Sequence, residues 1–99
     1  MQIDDESKIR PEIQALCANS EANLLVHGKP LQKGTVARLT HSIDFLESNE
    51  EHNAKERDLI GGVIDECLET VYRMQWHQYF GFKNPLVQKK YAIICEKYV

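Results

Sequence analysis

The residues of this chain best suited to chemistry are its histidines and cysteines. They are His27, His41, His52, His77, Cys17, Cys67 and Cys95. Zinc sites usually bring their ligands in close pairs such as C-x-x-C or H-x-x-x-H, and the sequence contains neither pattern. Free cysteine behaves as a small apolar residue when it sits on the inner face of a helix. We therefore expect buried thiols, surface histidines, and neither a metal nor another cofactor.

The sequence also contains no recognisable catalytic motif. A thiol–imidazole pair could be imagined from Cys67 and His77, but ten helical residues separate them by about 15 Å along the axis. The glycines fit neither a dinucleotide loop nor a phosphate loop, and no G-x-S-x-G occurs. The acidic side chains stand at helical spacing and indicate solvated faces. We expect a protein that is not an enzyme.

The most distinctive segment is rich in aromatic side chains. Five of the eight aromatic residues fall between positions 72 and 82: Tyr72, Trp76, Tyr79, Phe80 and Phe82. Helical spacing places the first four on one side, and such residues are enriched at the centres of protein interfaces. The simpler alternative is that the C-terminal helix folds back over these residues and they form part of the core. We take them as the candidate partner-binding residues, for a protein partner or for a second copy.

Charge is distributed unevenly along the chain, whose net charge is −3. Residues 44–69 carry nine acids and two bases, a net −7, and residues 70–99 carry five bases and one acid, a net +4. A small basic patch is predicted from Lys29, Lys33 and Arg38. Phosphate attraction dominates nucleic-acid affinity, so the acidic middle makes nucleic acid a disfavoured partner. Charged helix faces of this kind are usually solvated.

The length of 99 residues suits one domain, residues 1–99. The longest apolar runs are far shorter than the roughly 20 residues that a membrane-spanning helix requires. The acidic N-terminus lacks the features of a signal peptide, and the odd number of distant cysteines suits a reducing compartment. These features predict a cytoplasmic protein without membrane contact.

Hydrophobic spacing predicts four amphipathic helices, and no segment alternates as a strand would. Their approximate ranges are 8–26, 35–47, 50–79 and 85–98. Gly28 is expected to end the first helix, Asn84–Pro85 to begin the fourth, and no Asn-Gly or Asp-Gly hairpin turn is present. The fold class is therefore all-α, a small bundle of three to four antiparallel helices. Its surplus of apolar faces predicts a homodimer.

Two details of the third helix stay open at this point. It could begin at the capping signal formed by Ser48 to Glu51 or at the second capping signal formed by Asn53 to Glu56. Gly61 and Gly62 interrupt its apolar stripe, and together they cost about 2 kcal/mol relative to alanine. Close approach of another helix, or a bend, would offset that cost.

Residues 20–65 resemble a family of small enterobacterial regulators of biofilm formation and acid resistance, the two-component-system connector (AriR-like) proteins. The matching features are an apolar run ending at a glycine, a short basic turn, an apolar helix and a second apolar helix. In this sequence they are Leu24-Leu25-Val26-His27-Gly28-Lys29-Pro30-Leu31, Val36, Leu39 to Glu47 and Leu59-Ile60-Gly61. The resemblance implies a helical, dimer-forming regulator without catalysis that binds components of a phosphorelay. After about residue 70 the sequence departs from the family pattern, so no site residue is carried over.

These observations together predict a small non-catalytic regulatory adaptor that acts by protein–protein contact through helix faces. The partner could belong to signalling or transcription. An alternative is an inhibitor of a host enzyme or defence complex, encoded by a phage or mobile element. An acidic surface that imitates DNA phosphates would favour this alternative. A third is a DNA-binding regulator, whose binding would fall steeply with salt.

Overall fold

The computed structural model describes residues 8–48, 51–76 and 82–98, which are mostly helical. Its elements in chain order are α1 (Pro11–Ala18), β1 (Leu25–Val26), β2 (Lys29–Pro30), α2 (Thr35–Glu47), α3 (Ala54–Arg73) and α4 (Pro85–Lys97). The predicted ranges of α2 and α4 agree with these bounds to within a residue. No described helix is long and apolar enough to cross a membrane.

Side-chain caps set the starts of α3 and α4. The Asn53 Oδ1 accepts a hydrogen bond from the Glu56 amide at 2.8 Å, and the Glu56 carboxylate accepts one from the Asn53 amide at 3.2 Å. This reciprocal capping box selects the second of the two predicted starts. Ser48 instead lies at the end of α2, where its hydroxyl donates to the Phe45 carbonyl. Asn84 caps α4 as predicted, by accepting from the second and third helical amides.

The first helix is much shorter than the predicted 8–26. It ends at Ala18 because Asn19 adopts a left-handed conformation, with φ of 53°. The apolar residues that follow form a hairpin in place of the last two helical turns. His27 and Gly28, with φ of 52° and 79°, are its two turn residues. Positive φ at both positions is the requirement of a type I′ turn, so Gly28 serves a hairpin rather than a helix end.

Helix α3 is the centre of the bundle and packs against each of the other three helices. Helix α2 runs antiparallel to it, since Arg38 near the start of α2 pairs with Glu66 in the second half of α3, and Phe45 near the end of α2 contacts His52 just before α3. Helix α1 runs parallel to α3: Arg10 at its start bonds Glu56 at the start of α3. The far end of α1 lies beside that Arg38–Glu66 pair, because Arg38 also donates to the carbonyl of Leu16.

Helix α4 also runs parallel to α3, which corrects the predicted antiparallel bundle. Lys90 pairs with Asp65 and Lys97 pairs with Glu69, so residue numbers rise together along the two helices. The prediction failed because it took all connections to be short. Residues 74–84 form a connection of eleven residues, long enough to return along the bundle before α4 begins.

The core consists of the inward-facing apolar side chains of all four helices and the hairpin. Its fully buried members include Ile13, Leu16, Leu39, Phe45, Ile60, Ile64, Leu68, Val71 and Val87. Helix α3 ends at Arg73, six residues before the predicted end at about residue 79. The predicted continuation falls partly on residues 77–81, which lie outside the described ranges.

Candidate protein-binding face

The aromatic residues predicted to bind a partner are used largely for packing where the structure describes them. The Tyr72 ring stacks on Tyr98 with centroids 5.1 Å apart, and Phe82 contacts Tyr91 at 5.4 Å. Trp76 is half-buried against the core and borders the entry to α2. Tyr79 and Phe80 lie outside the described residues. For three of the five residues, the interpretation as packed side chains therefore fits the geometry better than an exposed anchor patch.

The predicted basic patch is not assembled at the surface. Arg38 is only 5% exposed; its guanidinium donates to the Leu16 carbonyl at 3.0 Å and pairs with Glu66 at 2.9 Å. Lys29 forms an exposed ion pair with Asp44 at 3.4 Å, which leaves Lys33 as the one solvated cation without an assigned ion pair among the three. The prediction failed for Arg38 because the spacing of basic residues in the sequence does not show that carbonyl groups at the end of α1 accept hydrogen bonds from this side chain.

The cysteines and histidines differ in how well they match their predictions. Cys67 is buried, and burial raises the pKa of its thiol to about 11, which keeps it protonated and unreactive. Cys17 and Cys95 are half-buried. His41 is 4% exposed, so the expectation of surface histidines is wrong for this residue.

His41 is buried with its Nδ1 atom lacking a hydrogen-bond partner among the described residues. Burial lowers the pKa of the ring below its ordinary value of 6.5. The neighbouring Asp44 carboxylate and a hydrogen bond to the Pro30 backbone oppose this effect, whereas Lys29 and His27 add to it. The net lowering indicates that folding selects the neutral imidazole.

We expect the protein to lose stability in mild acid because of His41. Its folded pKa lies below the unfolded value, so the stabilisation is complete above pH 6.5 and is lost as the pH falls toward the folded pKa. Urea unfolding measured from pH 7.5 to pH 5 should show this decline, and His41→Gln should flatten it. Identical slopes for both proteins would contradict the assignment.

An apolar groove without a covering element among the described residues runs between α3 and α4, and it is called here the α3–α4 face. It consists of Gly61, Gly62, Asp65, Leu86, Lys90 and Ile93. Leu86 is 45% exposed and Ile93 56% exposed, and their spacing of seven places them on one side of α4. Two clefts of about 430 Å³ and about 340 Å³ follow the groove and share Asp65 and Lys90.

The glycines of this face have no steric purpose within the described chain. A Cβ atom added at Gly62 would meet nothing within 4 Å, and one at Gly61 would meet only the Lys90 Nζ at 3.9 Å. Helix α3 continues unbroken through both positions. No described neighbouring side chain fills the space beside Gly62, so the backbone of α3 is open to approach from outside there.

Replacing Gly62 with alanine should stabilise the isolated chain. Alanine is favoured over glycine in a helix interior by about 1 kcal/mol, and the new methyl group has free space. Urea unfolding in dilute solution should therefore shift to higher concentration. The exposed Asp58→Ala, in the same helix, is the control and should change stability by less than about 0.5 kcal/mol. A loss of stability in Gly62→Ala would show that the site is already occupied.

Charged side chains border the α3–α4 face in two rows of opposite sign. An acidic row on α3 comprises Asp58, Asp65 and Glu69, and a basic row on α4 comprises Lys90 and Lys97. Asp65 pairs with Lys90 at 3.1 Å and Glu69 with Lys97 at 3.0 Å. Hydrogen bonds from Tyr98 and Lys97 lower the pKa of the Glu69 carboxyl. The acidic middle and basic end of the sequence are thus partly matched to each other.

Among the described residues, no three histidine, cysteine, aspartate or glutamate side chains cluster as a metal site would require. Comparison of the chain with family models, with characterised proteins and with solved structures finds no significant match. The geometry of the chain itself is therefore the basis for assigning a function.

Sequence reasoning singled out one half of the α3–α4 face and missed the other. The unexplained glycine pair was recognised as a place where a helix could approach closely. Leu86 and Ile93 were missed because they lie beside the main apolar seam of α4. A usable signal was present, since the two apolar residues and the two lysines of the basic row repeat along one side of that helix.

Proposed function

We propose that this protein is a small non-catalytic regulator that acts by binding a protein helix on its α3–α4 face. The observation that carries the proposal is the pair of exposed apolar side chains, Leu86 and Ile93, beside the open backbone of Gly61 and Gly62. Apolar residues one helical repeat apart beside an accessible backbone suit a helix laid along a groove. The site differs from the aromatic segment that the sequence favoured.

The two charged rows suggest how such a helix would be selected and oriented. Apolar contact at Leu86 and Ile93 would supply affinity, because burial of apolar area is the main favourable term in association. The acidic and basic rows would set the direction of the helix and speed its encounter with the groove. A suitable ligand carries apolar residues at a spacing of seven and charges of both signs beside them.

The other functions considered from the sequence receive less support. Asp65, Glu66 and Glu69 are engaged in ion pairs with cations of this chain, so they do not form a free phosphate-like surface for an inhibitor that mimics DNA. Burial of Arg38 removes one of three cations from the proposed DNA contact. The family resemblance suggests phosphorelay components as the first partners to examine. In this chain, however, Gly28 is a turn residue of a hairpin, whereas the family pattern has a helix ending at that glycine.

Site-specific photo-crosslinking tests the proposal. A photoreactive amino acid replaces Leu86 or Ile93 in cells that produce the protein, and adducts are identified by mass spectrometry. The matched control replaces Leu25, which is 68% exposed on the hairpin. We expect one defined protein species, whether another protein or a second copy, to be trapped from positions 86 and 93 and not from position 25.

A substitution that blocks the groove tests whether the crosslinks depend on the α3–α4 face. Gly62→Lys would place a long charged side chain over the groove and should abolish the adduct formed from position 93. Helical content measured by circular dichroism should stay unchanged, because position 62 faces open space. Adducts confined to position 25, or adducts at position 93 that survive Gly62→Lys, would overturn the proposal.

A further inference from the structure

We propose that the helix bound on the α3–α4 face belongs to a second copy of this chain, so that the face joins a symmetric homodimer. The inference rests on the proposed function, because both require this face to bind protein. A dimer with two-fold symmetry uses the same surface twice, so that surface must carry both halves of every contact. The α3–α4 face carries exposed apolar side chains beside an open glycine pair, and anions beside cations.

The charges select one arrangement of the two copies. An axis lying in the interface and parallel to the helices would place α3 of each copy opposite α4 of the other, with matching heights along the axis. Asp65 and Lys90 already lie at one height, 3.1 Å apart. Each would therefore meet the opposite charge of the second copy. An axis perpendicular to the helices would instead oppose α3 with α3 and set the acidic rows against each other.

The same arrangement matches the apolar parts of the face. Leu86 lines the same cleft as Gly61 and Gly62, so these residues also share a height along the groove. Exchange of helices across the axis would place Leu86 of one copy on the glycine pair of the other. The absence of a Cβ at Gly62 would allow that contact, and it would give the two glycines the close helix approach that the described chain does not provide.

Sedimentation velocity on the purified full chain, across a wide concentration range, tests the dimer. We expect wild-type protein to dimerise and Gly62→Ala to raise the dissociation constant at least about tenfold, equivalent to about 1.4 kcal/mol. Gly62→Ala should still unfold at a higher urea concentration than wild type when dilute. Weaker association together with a more stable helix separates interface damage from misfolding. Leu25→Lys, on the hairpin, is the matched control and should dimerise normally.

A charge exchange tests the direction of the axis. The double variant Asp65→Lys with Lys90→Asp keeps the ion pair within each chain and should dimerise with itself. Mixed with wild type, it should form few heterodimers, because aspartate would face aspartate and lysine would face lysine. Free mixing of the two proteins would overturn the parallel arrangement, and normal dimerisation of Gly62→Ala would place the interface elsewhere.

The failure of this inference is distinguishable from failure of the proposed function. A wild-type chain that stays monomeric at every concentration, while positions 86 and 93 crosslink to a different protein, overturns the homodimer and leaves the protein-binding face intact. No adduct from either position, with a monomeric chain, overturns both. A dimer disrupted by Gly62→Ala, with adducts to a second copy, supports both.

Discussion

Replacing Arg38 with methionine should lower the free energy of unfolding by about 3 kcal/mol. The buried guanidinium donates to the carbonyl of Leu16 at 3.0 Å and to that of Cys17 at 3.4 Å. Hydrogen bonds from a charged donor contribute roughly 1.5–3 kcal/mol, and after the substitution the Leu16 carbonyl would keep only the bond from the Asn19 amide at 3.2 Å. Urea unfolding followed by circular dichroism measures the loss. The effect would arise at the end of α1, where the only other side-chain donor among the described residues is the exposed Ser20 hydroxyl, which bonds the Ala15 carbonyl at 3.5 Å.

The ion pair of Arg38 should contribute far less than its backbone hydrogen bonds. The side chain of Glu66 is 66% exposed, so its charge can be solvated when the arginine is absent. Glu66→Gln is therefore expected to cost less than about 1 kcal/mol, as exposed ion pairs usually do. Equal losses for Arg38→Met and Glu66→Gln would contradict this division. Arg38→Lys should restore only part of the stability, because lysine lacks the planar donor fork.

Replacing Glu56 with alanine should cost about 3–5 kcal/mol, because each buried donor left without its acceptor costs about 1–3 kcal/mol. Glu56 is 4% exposed and accepts hydrogen bonds from the amides of Arg10 and Asn53 and from the Arg10 guanidinium. Its loss would leave two amides without their acceptor and would release the start of α1 from α3. Thermal and urea unfolding should both report the change, with the exposed Asp58→Ala as the control.

Glu56 should also make stability depend on pH in a range distinct from that of His41. Burial alone would raise the pKa of Glu56, but the hydrogen bonds from Arg10 and Asn53, with the Arg10 charge, outweigh burial and lower it. The stabilisation is then complete above pH 4.5 and is lost as the pH falls toward the lowered pKa. Glu56→Gln should remove this acid-dependent loss while leaving the decline below pH 6.5 unchanged. A wild-type slope retained in the variant would assign the effect to other carboxyl groups.

The helix boundaries that could be predicted were those set by capping side chains and proline close to the boundary in sequence. Asn84 followed by Pro85 specifies a helix start by capping and by a fixed φ, and α4 begins there. The start of α3 remained open because two capping signals stood close together. Selection between them depended on Arg10, whose contact with Glu56 joins residues 46 positions apart. Such a contact cannot be read from a local pattern.

The hairpin and the direction of α4 escaped prediction for different physical reasons. His27 at the first turn position is unusual for a type I′ turn, so the familiar Asn-Gly signal was missing. The Asn19 helix end was also overlooked in favour of the more prominent Gly28. The parallel packing of α4 was missed because amphipathic spacing defines the buried face of a helix without defining its direction.

Only one part of the candidate site could be predicted from the sequence, namely the unusual glycine pair inside α3. Two glycines inside a strong helical stripe break local consistency, and such breaks often mark functional positions. The aromatic segment attracted more attention because composition alone resembles an interface. Its described members, however, lie against Tyr91, Tyr98 and the core. Composition could not separate a residue exposed for binding from one covered by a helix that returns from far along the chain.

The central position of α3 sets the order in which this protein can become folded during translation. Helix α1 packs on a partner that is synthesised later: Arg10 must wait for Glu56, 46 residues downstream. Helix α2 likewise emerges from the ribosome before α3, on which it packs. A nascent chain halted after residue 48 therefore lacks the helix on which both α1 and α2 pack. Completion of α3 is therefore the first point in synthesis at which both helices can bury their apolar sides on it.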